Sequence, residues 1–448
     1  MTFRRLSFYT AVIGGGFVLS KALGLVRDIL IARAFGASAA LDAYGAAFNF
    51  PDLLFALIPG GALASVFIPV LTNYLQDEAK RDEAWKFVST IVNLVFVVVA
   101  LLALIAAIGA PWLVSNVIAP KFEPARQALT ADLMRWVLIS TLIFSISGIL
   151  TAILQAHNAF LLPALAPALY NLGIIAGALF LSPSLGVYGL AYGVVGGSVL
   201  HLLIQLPGLL RLRARYFLTL GLQTAGVGEL VRLFIPRLVT LGVVRINSLL
   251  MTNLASGLAI GSIASLNYAY LIWQVPESLI GTAIALAVFP TLSSLAAQGA
   301  QARLRRMFNL SMSIILGFAI PSALVVILFA RPIVGILLQR GAFQADATET
   351  VAGILQLYAL AIIGESALEL AARIFYAQHD SRTPMFVALA AMALRAALMF
   401  AWVDTLGARG LALAYAAGVA IEAGTLYVLA RRKMHAPGPA AKGQETVL

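Results

Sequence analysis

Hydrophobic positions in this chain come in long unbroken runs rather than in alternating or amphipathic patterns. Runs of about 17–25 apolar residues are the length of a bilayer-crossing helix. They fall near residues 8–34, 41–75, 87–112, 132–156, 163–182, 186–207, 233–257, 265–295, 307–330, 350–377, 385–403 and 410–430. The pattern predicts an all-α polytopic membrane protein with about twelve transmembrane helices. "MTFRR" leads directly into the first run, so that run is expected to be retained as a span.

Polar breaks repeat as regularly as the runs do. Pro69 and Pro290 are 221 residues apart (290 − 69 = 221), and the same offset links Pro111 to Pro332, Phe122 to Phe343 and Pro163 to Pro384. It also links "LGVYGLA" (185–191) to "LGARGLA" (406–412). A repeat unit of six helices returns the chain to its starting side, so the two halves should share one orientation. The expected organisation is an N-terminal six-helix lobe at 1–207, a cytoplasmic linker at 208–229, a C-terminal six-helix lobe at 230–433 and a disordered cytoplasmic tail at 434–448.

Composition agrees with this class. The chain of 448 residues is 61% hydrophobic and 11% charged, with a mean hydropathy of +0.95, whereas soluble domains are roughly 25% charged. The net charge of +11 does not gather on one face, as nucleic-acid binding would require. It follows the loops. With the N-terminus inside, one set of connections holds Lys80, Arg81, Lys86, Arg211, Arg213, Arg215, Arg303, Arg305, Arg306, Arg382, Arg431, Arg432 and Lys433. The opposite set holds Lys121, Arg126, Arg331, Arg340 and Arg409. This asymmetry predicts both termini in the cytoplasm. There is no cysteine, and four scattered histidines make no metal site. No Walker A pattern or enzyme constellation is visible, so no cofactor, no metal and no catalytic activity is expected.

The exceptions to the apolar runs are the candidate chemistry. A charge at bilayer depth costs about 2.5–3.5 kcal/mol on insertion scales and faces a bundle interior or a watery cavity. The first run carries Lys21, Arg27, Asp28 and Arg33; the second opens on Asp42 and carries Asp52 beside Pro51, with Pro59, Gly60 and Gly61 set to break it. Lys21 and Arg27 leave positive charge over after Asp28, while Arg33 is placed to snorkel to the interface. In the seventh run Arg237 and Arg245 share one helical face. In the tenth, Glu365, Glu369 and Arg373 are spaced four and four, and Glu369–Arg373 is a favourable ion-pair order. Glu365 is left over, with Arg395 and Glu422 available to it or to each other. These four (Glu365, Glu369, Arg373 and Glu422) are candidates for ion coupling. A net positive cavity implies an anionic, phosphate-bearing cargo, because Lys and Arg recognise phosphate by charge and forked hydrogen bonding. The candidate binding residues are Lys21, Arg27, Asp28, Asp42, Arg245 and Arg237. An alternative for Arg245 is a structural pair with Glu365 or Glu422.

Several stretches then resemble one family. "SKALGLVRDILIARAFGAS", "LDAYGAAFNFPDLL", "NAFLLPALAPALYN", "VGGSVLHLLIQLPGL" and "GAFQADAT" are similar to the MurJ/MviN lipid II flippases of the multidrug/oligosaccharidyl-lipid/polysaccharide exporter superfamily. The most specific stretch is "ARIFYAQHDSRTPM" (372–385), which fits an F-Y-x-x-x-D-x-x-T-P pattern. The resemblance covers about residues 6–433. It implies two six-helix lobes in a bacterial cytoplasmic membrane and alternating-access transfer of a lipid-linked peptidoglycan precursor from inner to outer leaflet. It places family cavity positives on Lys21 and Arg27 and the family acidic residue on Asp42. Phe55 and Leu271 stand where family arginines are usual, and Gln274 where an acidic residue is. The two further C-terminal helices usual in the family are not seen in this sequence. The expected partners are an undecaprenyl-diphosphate-type glycan and the bilayer, with no nucleic acid, and the chain is expected to act as a monomer. The alternatives are a flippase of another undecaprenyl-linked glycan, a drug/cation antiporter of the same superfamily, and a non-transporting membrane scaffold.

Overall fold

The computed structural model describes residues 3–57, 61–75, 77, 80–221, 223 and 226–435, with side chains outside 3–13, 57, 61–66, 229, 231 and 233–244. Pro59 and Gly60, the side chain of Arg237 and tail residues 436–448 lie outside the described residues. Within them the chain is helical, with no strand.

The helices in order are α1 (Phe3–Phe35), α2 (Ala39–Ala47), α3 (Asn49–Leu57), α4 (Gly61–Leu75), α5 (Arg81–Ile108), α6 (Ala110–Leu113) and α7 (Pro124–Ala156). There follow α8 (Leu161–Ala176), α9 (Ser182–Leu185), α10 (Val187–Leu203), α11 (Leu206–Arg211), α12 (Val227–Ala255) and α13 (Ser262–Glu277). The last are α14 (Ala283–Ala297), α15 (Gln301–Leu328), α16 (Ala330–Leu338), α17 (Ala345–Ala377), α18 (Arg382–Leu406) and α19 (Ala408–His435). A single π-helical turn at Val114–Ile118 extends α6, and others at Gly177–Leu181 and Ser278–Thr282 join α8 to α9 and α13 to α14.

Nine helical segments among the described residues are long and apolar enough to cross a membrane. They coincide with nine of the twelve expected spans, so the chain is an all-α, multi-pass membrane protein. The other three expected spans are helical too: α1, the broken segment α2–α4, and α12. These three carry Lys21, Arg27, Asp28, Asp42, Asp52 and Arg245.

The 221-residue offset reappears in the backbone. Helices α7 and α17 are both 33 residues long, and both their first and last residues differ by 221. So do the first residues of α8 and α18 and of α10 and α19. Two left-handed turns recur at the same offset. Asn158 (φ 59°) matches His379 (φ 56°), and Gly186 (φ 57°) matches Gly407 (φ 59°). Pro163 and Pro384 follow the first of these matching turns, in the opening turns of α8 and α18, where proline is tolerated.

By contacts, the chain forms two compact units. One comprises residues 1–264 with 338–344, the other 265–337 with 345–448. That division falls later than the expected linker at 208–229, so α12 groups with the first unit. The contact division and the sequence repeat are different properties of the chain.

In the first unit, Phe67, Phe87, Ile91, Ile149, Ile153 and Val227 form an apolar core. In the second, Phe308, Ile315, Ile374, Phe375 and Leu426 do the same. Large apolar side chains also remain exposed along α5 (Ile105, Ile108) and α15 (Phe318, Leu328), while α7 buries Thr130, Ser140, Thr141, Ser145 and Ser147. Apolar residues outside and small polar residues between helices are what lipid as solvent selects.

Candidate transport site

In the first unit the central group is Arg27 on α1. Its Nε donates to Asp28 Oδ1 at 2.8 Å and its Nη2 to Asp28 Oδ2 at 3.0 Å. Its Nη1 donates to Asn171 Oδ1 on α8 at 3.0 Å, and Asn171 Nδ2 donates back to the Ser20 carbonyl at 3.1 Å. Helices α1 and α8 approach closely at Gly16, where any side chain would meet the Ala164 backbone. That approach carries Asn171 to the guanidinium. The Arg27 side chain is still 26% exposed and Asp28 16%, so the pair is accessible rather than sealed. Tyr44 and Tyr170 lie within electrostatic reach of the same guanidinium.

Lys21 is exposed, with Nζ 5.7 Å from the Phe17 ring centroid. Arg33 is exposed near the end of α1, in keeping with the interfacial reading, and its carbonyl accepts from Ala342 N at 2.8 Å. Asp52, half-buried in α3, has Arg245 of α12 within electrostatic reach. Arg245 is therefore set beside an acid of the first unit. Glu365 and Glu422, the acids weighed as alternative partners for Arg245, have partners of their own within the second unit.

Asp42 has partners of a different kind. It is 1% exposed, and its two oxygens accept from Gly261 N at 2.6 Å and Ala264 N at 2.9 Å. Asp42 thus binds the backbone of the turn that opens α13. Three more hydrogen bonds tie the same region of this unit: Asn253 Nδ2 to the Val117 carbonyl at 2.6 Å, Lys121 N to Ser256 Oγ at 3.3 Å, and Thr252 Oγ1 to Asn49 Oδ1 at 3.2 Å.

Phe55 occupies the place where an arginine was expected. Its ring meets Phe144 edge-on at 5.4 Å, and Phe144 in turn meets Tyr170 and His201 at 5.1 Å. An aromatic cluster fills that position. Beside it, Ser147 Oγ and His201 Nδ1 are hydrogen-bonded at 2.6 Å, Gln205 Nε2 donates to Ser147 Oγ at 2.8 Å, and Thr151 Oγ1 donates to Gln205 Oε1 at 2.9 Å.

In the second unit the four acidic and basic candidates of the tenth and twelfth spans separate into pairs. Arg373 donates to Glu369, one turn away on α17. Arg395 on α18 donates to Glu422 on α19, whose side chain is 6% exposed. Arg395 and Glu422 are each other's partners, and Glu365 instead accepts from Tyr415 Oη at 2.5 Å. The motif residue Asp380 has a different task outside the membrane-spanning segments. It accepts from Thr383 N at 3.1 Å, Thr383 Oγ1 at 2.8 Å, Arg382 N at 3.2 Å and Lys433 Nζ at 2.5 Å. The Lys433 hydrogen bond, followed by that of the Thr383 amide, pulls its carboxyl down to about 2.

Sequence reasoning did not single out Asn171 or Tyr415. The signal for Asn171 was an amide in an otherwise apolar run; Tyr415 carried none.

The family model described as lipid II flippase MurJ matches residues 31–445. A lipid II flippase MurJ of Burkholderia cenocepacia is 29% identical over 435 residues, 95% of this chain and 84% of that protein. A probable lipid II flippase MurJ of Thermotoga maritima is 29% identical over 419 residues, covering 93% and 84%. A solved lipid II flippase MurJ in an inward closed conformation superposes with a TM-score of 0.82 at 26% identity, covering 94% of this chain and 87% of that one. An inward-facing multidrug resistance MATE family transporter of the MOP superfamily shares the fold at TM-score 0.75 and 14% identity, covering 93% of this chain and 94% of that one. With the family model spanning nearly its whole length, the chain belongs to the lipid II flippase MurJ family.

Proposed function

We infer that the chain moves lipid II, a lipid-linked peptidoglycan precursor, from the inner to the outer leaflet of the bacterial cytoplasmic membrane by alternating access. The match of the flippase family model over residues 31–445 carries the reading. The chemistry supports it: Arg27 is held by Asp28 and Asn171 yet remains accessible, and Arg245 adds a second intramembrane cation in the same unit. A guanidinium fixed in this way is suited to a diphosphate, which takes forked hydrogen bonds. In this proposal Arg27, Lys21 and Arg245 meet the head group, Asp28 orients Arg27, and Arg237 receives cargo nearer the cytoplasmic end of α12. Asp42 is available to cargo only in an arrangement where its two backbone hydrogen bonds are open. The working unit is a monomer of two six-helix lobes, 1–207 and 230–433, with both termini cytoplasmic.

The packing of Phe55 into an aromatic cluster favours a second reading, transfer of a different undecaprenyl-linked glycan. One experiment separates the two. A bacterium depleted of its own lipid II flippase should grow when it expresses this chain. Growth should fail with Arg27→Gln, at unchanged membrane levels. Arg245→Gln should also fail, with partial rescue by Arg245→Lys. Wild-type chain that accumulates in the membrane without restoring growth would overturn the lipid II reading in favour of the other glycan.

A further inference from the structure

We propose that Glu365 on α17 is a proton-binding site that couples proton entry to the packing of α17, α18 and α19. The inference rests on the reading of the chain as a transporter, which needs a source of energy, but its test requires no cargo.

The argument starts from charge balance within the second unit. Arg373 is taken by Glu369, and Arg395 by Glu422. Glu365 then has a neutral partner, the Tyr415 hydroxyl, at 2.5 Å. The groups that face it from the surrounding helices are Tyr415 and Glu422 of α19, Arg395 of α18 and Glu277 of α13. Helix α14 and the π-turn at Ser278–Thr282 contain no titratable side chain, and α15 has its charges confined to Arg303, Arg305 and Arg306 in its first turns. Among the described residues, Glu365 and Glu422 thus share one nearby cation, Arg395, which Glu422 already holds. A charge without a counter-ion at membrane depth is costly. One proton taken from water by a Glu365 oxygen converts carboxylate to carboxylic acid and removes one uncompensated charge, with no other reactant.

A proton fits better than a metal ion. The guanidinium of Arg395 lies within electrostatic reach of Glu365, so an added metal cation would meet a positive charge. No three His, Asp or Glu side chains converge as metal ligands among the described residues. Three buried polar atoms on nearby residues have no hydrogen-bond partner among the described residues: Ser366 Oγ, on the residue next to Glu365, Trp273 Nε1 and Arg395 Nε. The Trp273 ring packs edge-on to Tyr415 at 5.7 Å, and Arg395 lies 5.6 Å from the same ring centroid. Trp273 and Arg395 thus pack on the tyrosine that holds Glu365, and each keeps a buried donor without a partner. Because Arg395 bridges α18 to Glu422 on α19, a change of charge on Glu365 alters the balance that holds three helices.

Infrared difference spectra of the full chain in lipid nanodiscs, taken between mildly acidic and mildly alkaline buffer at constant sodium, test this. A carboxylic-acid carbonyl band that shifts on deuteration should appear on acidification. Glu365→Gln should delete it, Glu365→Asp should retain it at a changed frequency, and Tyr415→Phe should move both its frequency and its midpoint. A band that persists in Glu365→Gln and disappears in Glu422→Gln would overturn the assignment. So would a carboxylate spectrum that responds to sodium at fixed pH and not to pH. Neither result bears on growth complementation, so failure here leaves the lipid II reading intact, and failure there leaves this band in place.

Discussion

Helices α7, α8 and α10 in the first unit and α17, α18 and α19 in the second occupy equivalent places in the repeat, yet they bury opposite chemistry. At the offset of 221, Phe144 matches Glu365 and His201 matches Glu422; Val194 and Ile174 match Tyr415 and Arg395. One set of helices holds aromatic and aliphatic groups where the other holds an acid–tyrosine bond between α17 and α19 and an ion pair between α18 and α19. One turn along, the order reverses. Ser147, Thr151 and Gln205 form a neutral network in the first unit, while Leu368, Ala372 and Leu426 at the matching places join the apolar core of the second. The backbone of the repeat is kept, and the polar layer sits at a different level in each copy. Helices α7 and α17 thus keep the same bounds while the chemistry they bury differs.

The largest effect should come from stranding a charge. Arg395→Met leaves Glu422 buried without its cation and should destabilise the protein by about 3–5 kcal/mol. Thermal unfolding of purified protein in detergent, or loss of folded protein in membranes, would report it. The double variant Arg395→Met/Glu422→Met should recover most of that loss, since two well-packed apolar groups replace the pair. If the single variant is as stable as wild type, the ion pair does not hold α18 to α19, and the contrast between the units loses its main element.

The neutral network of the first unit should respond less. Ser147→Ala removes the hydroxyl that meets both His201 and Gln205. Losing it leaves buried polar atoms unpaired, at about 1–3 kcal/mol, and the same unfolding assay would measure it. Equal losses from Ser147→Ala and Arg395→Met would mean that charge is not what distinguishes the two sets of helices.

These contrasts were unevenly legible in the sequence. The repeat could be read because proline and glycine mark backbone geometry directly, so Pro163 and Pro384 announce the same turn. Glu369–Arg373 was legible because its spacing lies within one helix. Arg395–Glu422 was narrowed only to a choice, because residues on two helices can meet in several ways. The partners of Asp42 were illegible for a stronger reason: backbone amides of Gly261 and Ala264 carry no residue identity. Asn171 reaches Arg27 across 144 positions, through the approach of α1 to α8 at Gly16. The site was thus visible as a set of charges, while its pairing depended on tertiary packing.

The smallest effects belong to the matching turns before α8 and α18. Both turns have a left-handed residue, Asn158 or His379, at the same place. In the second unit the following residue is Asp380, which holds the Thr383 amide and Lys433. In the first unit that place is Ala159, and Leu162 stands for Thr383. Asp380→Ala should cost about 1 kcal/mol, the usual value of a helix-start cap. The pH dependence has a defined sign. The carboxyl is held at about 2, below its ordinary 3.8, so the folded state favours the charged form. Its contribution is complete above the ordinary value and is lost as pH falls towards about 2. Wild type and Asp380→Ala should therefore differ by a constant amount at neutral pH and converge in strong acid. Grafting the cap into the first unit, as Ala159→Asp with Leu162→Thr, should gain less than about 1 kcal/mol, because Leu212 stands where Lys433 would be. No gain at all would show that the cap depends on the lysine across the helix end rather than on the local turn, and the two turns would then be alike only in backbone.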